Sequence, residues 1–441
     1  MSLFSGTRKW VYTRNIAGRF QVVHRWSGRL LIGGMFLLPW LSLGGNPLVR
    51  VDLPARRLYL AGQIFTASDG FLLALGGLLA AFLLFFVSAL FGRLWCGYFC
   101  PQTVFLEEWV RRVEALVEGD GPARWRRDQG PWTADKIGRK VSKVVILTVL
   151  AVALSMTLMS YFAGAPAIWL GQAGPVDYTM VGIFTVGMLA DWLWFREQLC
   201  IYLCPYARFQ SALTDADSLT VGFNPNVEIG KGKKAAAAGN CIDCKKCVTV
   251  CPMGIDIRDG FQLECIQCAR CIDACTDVMD NLGQPTLVRY TTLAADEGRP
   301  TRVARPRTVI YGALITGLAA VLVGSILFHN PLEVSVNRSP GTLYQVDADG
   351  FVRNTYLLRV VNNDPSAQHA FAVGVEGLEG VRVSMPPLIL EAGEDRTVPL
   401  VVRVPVDSAV NTTKITISVH SNGLDRTVYT TFKGPSPGGH G

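Results

Sequence analysis

The sequence predicts a multi-domain membrane protein: an α-helical transmembrane bundle of about five spans, a cysteine-rich domain inserted into it, and a C-terminal immunoglobulin-like β-sandwich. Three observations carry this. Half of the 441 residues are hydrophobic, and much of that hydropathy is gathered in runs free of charge. All 12 cysteines lie between Cys96 and Cys275 in tight, regular spacings. Beyond about His329 the apolar residues alternate at period two between turn residues, as strands do.

A bilayer core takes about 20 apolar residues as a helix. Stretches at roughly 24–44, 70–91, 141–163, 178–199 and 308–328 meet or nearly meet that length. Gly70–Phe91 carries no charge at all, whereas the first stretch is Gly-rich and its limits are the least sharp. The basic N-terminus is followed, from Gly28, by large residues rather than by a small-residue cleavage site, so its retention is expected.

Lys and Arg set the expected sidedness. They collect in the N-terminal segment (Arg8, Lys9, Arg14, Arg19, Arg25), after the second span (Arg111, Arg112, Arg124, Arg126, Arg127, Arg139, Lys140) and between the fourth and fifth (Lys231, Lys233, Lys234, Arg305, Arg307). The loop from Ala163 to Tyr178 has none, although the loop after the first span, with Arg50, Arg56 and Arg57, fits poorly. The N-terminus and the cysteine run are therefore expected in the cytoplasm and the tail in the periplasm, with the chain multi-pass in a bacterial inner membrane. The formal charge of +7 sits beside apolar segments, which speaks for membrane orientation and against nucleic acid as a partner.

The cysteine run reads Cys241-x-x-Cys244-x-x-Cys247-x-x-x-Cys251-Pro252, then Cys265-x-x-Cys268-x-x-Cys271-x-x-x-Cys275. This is the spacing of bacterial two-cluster ferredoxins, in which the fourth cysteine of each half serves the other cluster. Two [4Fe–4S] clusters are expected, one on Cys241, Cys244, Cys247 and Cys275, the other on Cys265, Cys268, Cys271 and Cys251. Thr276 stands where a second proline is expected. Zinc knuckles also use Cys-x-x-Cys, but eight interleaved ligands disfavour them.

A second constellation is an internal repeat. Cys96-Gly-Tyr98-Phe-Cys100-Pro101 matches Cys200-Ile-Tyr202-Leu-Cys204-Pro205, and each box follows an apolar span. On a helix, cysteines four apart share a face, and the proline ends or kinks the span. Two such ends could gather Cys96, Cys100, Cys200 and Cys204 into one soft-ligand site, suited to copper(I) or to a further iron–sulfur centre. Two other readings stay open for these thiols: a dithiol–disulfide relay, or plain packing. Asp191 is either a proton relay or a helix-end residue facing a partner, and His24 and His329 are either ligands or interfacial residues. Glu107, Glu108, Arg111 and Arg112 read as the solvated face of an interfacial helix.

The expected organisation is a cytoplasmic N-terminal segment (1–23), transmembrane hairpin 1 (24–91), a cytoplasmic loop with the first box (92–140) and transmembrane hairpin 2 with the second box (141–205). There follow a cytoplasmic two-[4Fe–4S] ferredoxin-like domain (206–307), span five (308–328) and a periplasmic immunoglobulin-like domain (329–441). Its expected strands are 334–337, 355–362, 371–375, 381–384, 397–404, 413–420 and 427–432, with turns at Asn363-Asp364-Pro365 and Ser421-Asn422-Gly423.

This order of parts resembles the FixG/RdxA/CcoG family of accessory proteins for cbb-type cytochrome oxidase, as do Gly18-Arg19-Phe20, Asp52–Arg57 and Arg426–Phe432. The resemblance covers nearly the whole chain. It implies an inner-membrane cupric reductase, with cluster ligation by the eight ferredoxin cysteines and a copper or electron-transfer role for the four box cysteines. It also implies partners: a cytoplasmic electron donor, copper ions, and a copper transporter, copper chaperones or oxidase subunits. Two rivals remain, a quinol-dehydrogenase-like membrane ferredoxin feeding a periplasmic reductase, and a non-enzymatic assembly scaffold.

Overall fold

The computed structural model describes residues 10–65, 70–230, 235, 237–327, 332–341, 343–362, 368–391, 394–408, 412–421 and 424–435. Arg8, Lys9, Lys231, Lys233, Lys234, His329 and the turn residues 363–365 and 422–423 lie outside them. The chain forms two compact units: 1–42, 47–56 and 67–322 make one, and 43–46, 57–66 and 323–441 the other.

The first unit is built on long helices: α1 (Arg19–Leu37), α2 (Gly70–Phe91), α3 (Ala134–Ala163), α4 (Pro175–Ala190) and α5 (Pro306–Leu327). Among the described residues, Gly70–Phe91, Ala134–Ala163, Pro175–Phe195 and Pro306–Ser325 are long and apolar enough to cross a membrane, by length and composition. The expected first span differs in place and character. Its helix starts earlier, ends at Leu37 and carries Arg19, Arg25 and Arg29, because the start of α1 is tied to the ferredoxin segment. The Asp273 carboxylate accepts the backbone N–H of Phe20 (3.3 Å) and of Gln21 (2.9 Å), capping α1 from outside its own chain segment. Gly18 permits that approach, since a Cβ there would stand 2.2 Å from Asp273 Cγ.

The expected cytoplasmic loop 92–140 is largely helical. Pro101–Phe105 runs through a wide turn into Arg111–Glu118, followed by Gly121–Gln129 and the first turns of α3. Of the four residues expected on a solvated face, Glu107, Glu108 and Arg111 have side chains less than a tenth exposed, because they pair within this helix and with Arg270 of the ferredoxin segment, while Arg112 stays partly exposed. Glu107 pairs with both Arg111 and Arg270, which lets a carboxylate stay charged out of water. An apolar core of Phe105, Leu106, Val110, Leu147, Ala151, Leu154 and Trp192 joins it to α3 and α4.

In the second unit all seven expected strands are present, each within a few residues: β1 (Leu332–Arg338), β3 (Phe351–Asn362), β4 (His369–Glu376), β5 (Arg382–Ser384), β7 (Asp395–Pro405), β8 (Thr412–Ser421) and β9 (Leu424–Lys433). Two short ones, β2 (Gln345–Val346) and β6 (Leu388–Leu390), complete it. One sheet runs β5-β7-β3-β1 with β2 on β3, the other β6-β4-β8-β9, and all pairs are antiparallel. Alternate residues of β3, such as Val352, Tyr356, Leu358 and Val360, face a core shared with Ile415, Ile417 and Val419. Asn354 ties the sheets together, donating to Lys433 O (2.8 Å) and accepting from Lys433 N (3.0 Å). The arginines that fit the charge bias poorly are partly neutralised within their units. Arg50 meets Asp52 at 3.3 Å, and Arg57 meets Asp395 at 2.8 Å.

Candidate metal centres

The two halves of the ferredoxin segment repeat in backbone as well as in sequence. Asp243 (φ 54°) and Lys245 (φ 53°) have counterparts 24 positions on in Gln267 (φ 56°) and Ala269 (φ 59°). Left-handed non-glycine residues cost about 1–2 kcal/mol each, so four at matched positions mark a geometry held by its surroundings. They turn each Cys-x-x-Cys-x-x-Cys loop around a concave space. Short helices follow at Lys246–Thr249 and Arg270–Asp280. Pro252 bars the first from continuing; with Thr276 in the corresponding place, the second runs on to Asp280.

The fourth cysteines cross over. Cys241, Cys244, Cys247 and Cys275 line one cavity, and Cys251, Cys265, Cys268 and Cys271 line another, which Cys247 also borders. Backbone N–H groups point at the sulfurs: Leu287 N lies 3.4 Å from Cys275 Sγ, Gln267 N–H serves Cys265, and Met253, Gly254 and Ile255 serve Cys251. Such bonds favour a charged thiolate. Four sulfurs per cavity, each set fed by N–H donors, is the donor set a [4Fe–4S] cube takes. Among the described residues no three His, Cys, Asp or Glu side chains converge on a single metal ion. Thiolates around a cube stand further apart than the ligands of one ion.

The two boxes share one local structure. In each, a hydrogen bond five residues back closes a wide turn, Cys100 N to Trp95 O (2.9 Å) and Cys204 N to Leu199 O (2.8 Å). The following proline opens a helix, with Cys100 and Cys204 at its N-cap. All four thiols form one neighbourhood. Burial pushes the Cys96 thiol up to about 11, with Cys100 and Cys204 adding to it; burial pushes Cys200 up to about 12, with Cys100, Cys96 and Cys204 adding. Burial thus disfavours the thiolate at Cys96 and Cys200, and a metal bound there would have to displace their protons.

Beside the boxes lies the second ferredoxin cavity. Cys96, Met253, Ile266 and Cys268 form a buried core against which Cys200, Ile201, Tyr206 and Cys251 pack. Gly97 makes this possible, since a Cβ on it would stand 2.5 Å from Ile266 O and 3.1 Å from Cys268 N. The hydroxyl of Tyr290 donates to Gln267 O (2.7 Å) and lies 3.4 Å from that of Tyr98. Sequence reasoning missed Gln210, which is fully buried: its Oε1 accepts from Arg93 Nε (3.1 Å) and lies 3.6 Å from Cys96 Sγ. The signal for Gly97 was legible, as the one small residue where the boxes differ; for Gln210 there was none.

Of the weaker candidates, Asp191 has a partner in Gln102 Nε2 (3.0 Å), on the helix that follows the first box, while its Oδ2 is buried without one. His24 is buried against Tyr98, ring centroids 5.7 Å apart, and meets the backbone of Gly97 inside the first box. Arg196, at φ 53°, turns the chain from α4 into the second box, its guanidinium forked onto Glu114 at 2.7 and 3.1 Å.

The model of a 4Fe–4S dicluster domain matches residues 195–293, that of a 4Fe–4S binding domain residues 73–117, and that of the IG-like fold at the C-terminus of FixG residues 322–435. The chain is 36% identical over 421 residues to nitrogen fixation protein FixG of Rhizobium meliloti, covering 84% of this chain and 80% of that one. It is 34% identical over 395 residues to protein RdxA of Cereibacter sphaeroides (85% and 84% covered) and 36% identical over 386 residues to RdxB of the same organism (82% and 81%). The crystal structure of a FixG-related protein from Vibrio parahaemolyticus aligns with 24% of this chain and 97% of its own, at 25% identity and a TM-score of 0.21.

Proposed function

For a chain that belongs to the FixG/Rdx family of membrane iron–sulfur electron-transfer proteins, we propose the reduction of copper(II) to copper(I) in support of cbb-type oxidase assembly. The observation that carries the reading is the buried core in which Cys96 and Cys200 lie against Cys251 and Cys268. Cys241, Cys244, Cys247 and Cys275 would hold one [4Fe–4S] cluster, and Cys251, Cys265, Cys268 and Cys271 the other. When bound, these clusters supply reversible one-electron transfer.

The chain's own residues give that transfer a direction. Cys244 is the one exposed cysteine of the eight, so the face around it suits a cytoplasmic donor. The opposite cavity abuts the box thiols. Soft sulfurs favour copper(I) over copper(II), so copper(II) arriving among Cys96, Cys100, Cys200 and Cys204, which as they stand do not converge three at a time on one ion, is driven to accept one electron. A second reading places a further iron–sulfur centre on the same four thiols; the match of residues 73–117, which include Cys96 and Cys100, to a 4Fe–4S binding domain favours it.

Contacts inside each unit support the five-span topology. Arg14 N donates to Thr249 O of the ferredoxin segment, and Arg57 pairs with Asp395 of the sandwich. On this reading α1 crosses as well as α5, its arginines at the cytoplasmic end, although it is not among the four helices long and apolar enough to span by length and composition. On this topology the N-terminus and ferredoxin segment are cytoplasmic and the sandwich periplasmic in the inner membrane, with the domain limits given above.

Anaerobic purification followed by iron and sulfide analysis tests the centres: about 8 iron atoms per chain fits two cubes and about 12 fits three. Copper(I) trapped by a colorimetric chelator when copper(II) is added to protein reduced with dithionite and then freed of it supports the proposal. Oxidation of a quinol analogue without copper turnover supports the quinol-dehydrogenase rival, and clusters that do not cycle support the scaffold.

A further inference from the structure

Among the described residues of the first unit, two charged cavities lie away from the sulfurs. In the larger, about 490 Å³, Arg124, Arg196, Lys140 and Lys143 each meet Glu114, Glu118 or Asp128, and Lys136 Nζ donates to the carbonyls of Asp128 (3.1 Å) and Gly130 (2.9 Å). The smaller, about 230 Å³, is lined by five arginines (Arg25, Arg29, Arg111, Arg112 and Arg270) against only Glu107 and Glu108. Both carboxylates are already engaged, Glu107 by Arg111 and Arg270 and Glu108 by Arg112 at 2.6 Å.

Arg25 and Arg29 both feel the Glu108 carboxylate, but neither closes to an ion pair with a carboxylate among the described residues. Arg25 Nε donates to Gln21 O in its own helix (3.2 Å), and Arg29 lies 6.0 Å from the ring of Trp26. The two are four residues apart on α1, a spacing at which like charges repel. At the wall, Gln21 Nε2, Arg111 Nε and Arg270 Nε are buried with no hydrogen-bond partner, on side chains less than a tenth exposed. Guanidinium forks with spare donors match the oxygens of a phosphate group.

The rest of α1 indicates where that phosphate comes from. Val22, Val23, Trp26 and Leu30 are 46–73% exposed on the same turns of the helix, an apolar strip with a tryptophan in its middle, a residue enriched where membrane meets water. Phosphate chemistry in a pocket beside an apolar strip is the chemistry of an anionic phospholipid. We propose that this cavity binds the phosphate headgroup of an anionic phospholipid, with its acyl chains along the Val22–Leu30 strip. The bound headgroup would sit next to the ferredoxin segment, where Arg111 Nη2 donates to Pro252 O (2.8 Å).

The test uses the full-length holoprotein in detergent, titrated with phosphatidylglycerol and separately with phosphatidylcholine, and read by native mass spectrometry. Arg25→Gln/Arg29→Gln is compared with wild type and with Arg426→Gln on the sandwich; unchanged iron–sulfur absorbance shows that each variant is folded. The expected result is retention of phosphatidylglycerol over phosphatidylcholine, weakened on the order of 30-fold in the double variant and unchanged in Arg426→Gln. An equal loss in Arg426→Gln, or equal retention of both lipids, overturns the proposal. Inorganic phosphate binding with no retained lipid overturns the lipid assignment in favour of a soluble phosphate ligand.

Discussion

Replacing Gly97 by alanine tests how closely the first box must sit on the ferredoxin segment. The added Cβ would stand 2.5 Å from Ile266 O, 3.1 Å from Cys268 N and 3.2 Å from Cys268 Cα. Favourable contact needs about 3.5 Å, so the loop must retreat by roughly 1 Å, and the obstacles are backbone atoms that cannot swing aside. The loop is also held from behind, by Tyr290 Oη on Gln267 O (2.7 Å) and by Gln267 Nε2 on Leu219 O (2.6 Å). Overpacking of this kind costs about 1–3 kcal/mol, which corresponds to roughly a tenfold rise in the open population for each 1.4 kcal/mol. Gly138→Ala is the control: nothing lies within 4 Å of the added Cβ, and alanine is favoured in a helix by about 1 kcal/mol. Chased with an iron chelator under anaerobic conditions, Gly97→Ala should lose iron at least several-fold faster than wild type, and Gly138→Ala no faster. Equal iron loss in the two variants refutes the packing argument.

Three further outcomes follow from particular contacts. Asp273→Ala removes the cap on α1 and should lower stability by about 0.5–2 kcal/mol, with Asp273→Asn retaining most of it, as read by thermal melting. Burial pushes the Glu114 carboxyl up, but Arg196, Arg124 and Lys143 more than offset this and bring it down to about 2. Its ion pairs therefore stabilise the fold fully above the ordinary carboxyl value of 4.5, and less as pH falls towards 2. Glu114→Gln should cost about 3–5 kcal/mol at neutral pH, and tryptophan-fluorescence melts should show that deficit shrinking below pH 4.5. Asn354→Leu leaves Lys433 N and O without their partners and should destabilise the sandwich by roughly 2–4 kcal/mol in chemical denaturation.

Patterns of local physics were legible in the sequence. Period-two runs located every long strand of the sandwich, because one face of each must enter the core. Uncharged runs located α2 and α5, since an apolar run of that length satisfies its backbone as a helix. Contacts between distant segments were not legible. The start of α1 is set by Asp273, more than 250 positions away in sequence. Glu107 and Arg111 have the local pattern of a solvated face, and only the arrival of Arg270 makes their burial affordable. Gln210 carries no motif, because its role arises from the meeting of the two boxes.

The central claim is that electrons reach copper at the four box thiols from the neighbouring ferredoxin cavity. Its most direct test is a stopped-flow experiment in which dithionite-reduced, anaerobic protein is mixed with copper(II) while the iron–sulfur absorbance and copper(I) formation are followed together. Wild type should be reoxidised with one copper(I) formed per electron lost. Cys96→Ser/Cys200→Ser, with its two-cluster EPR signal intact, should stay reduced and form none. Reoxidation of that variant at the wild-type rate would contradict the account.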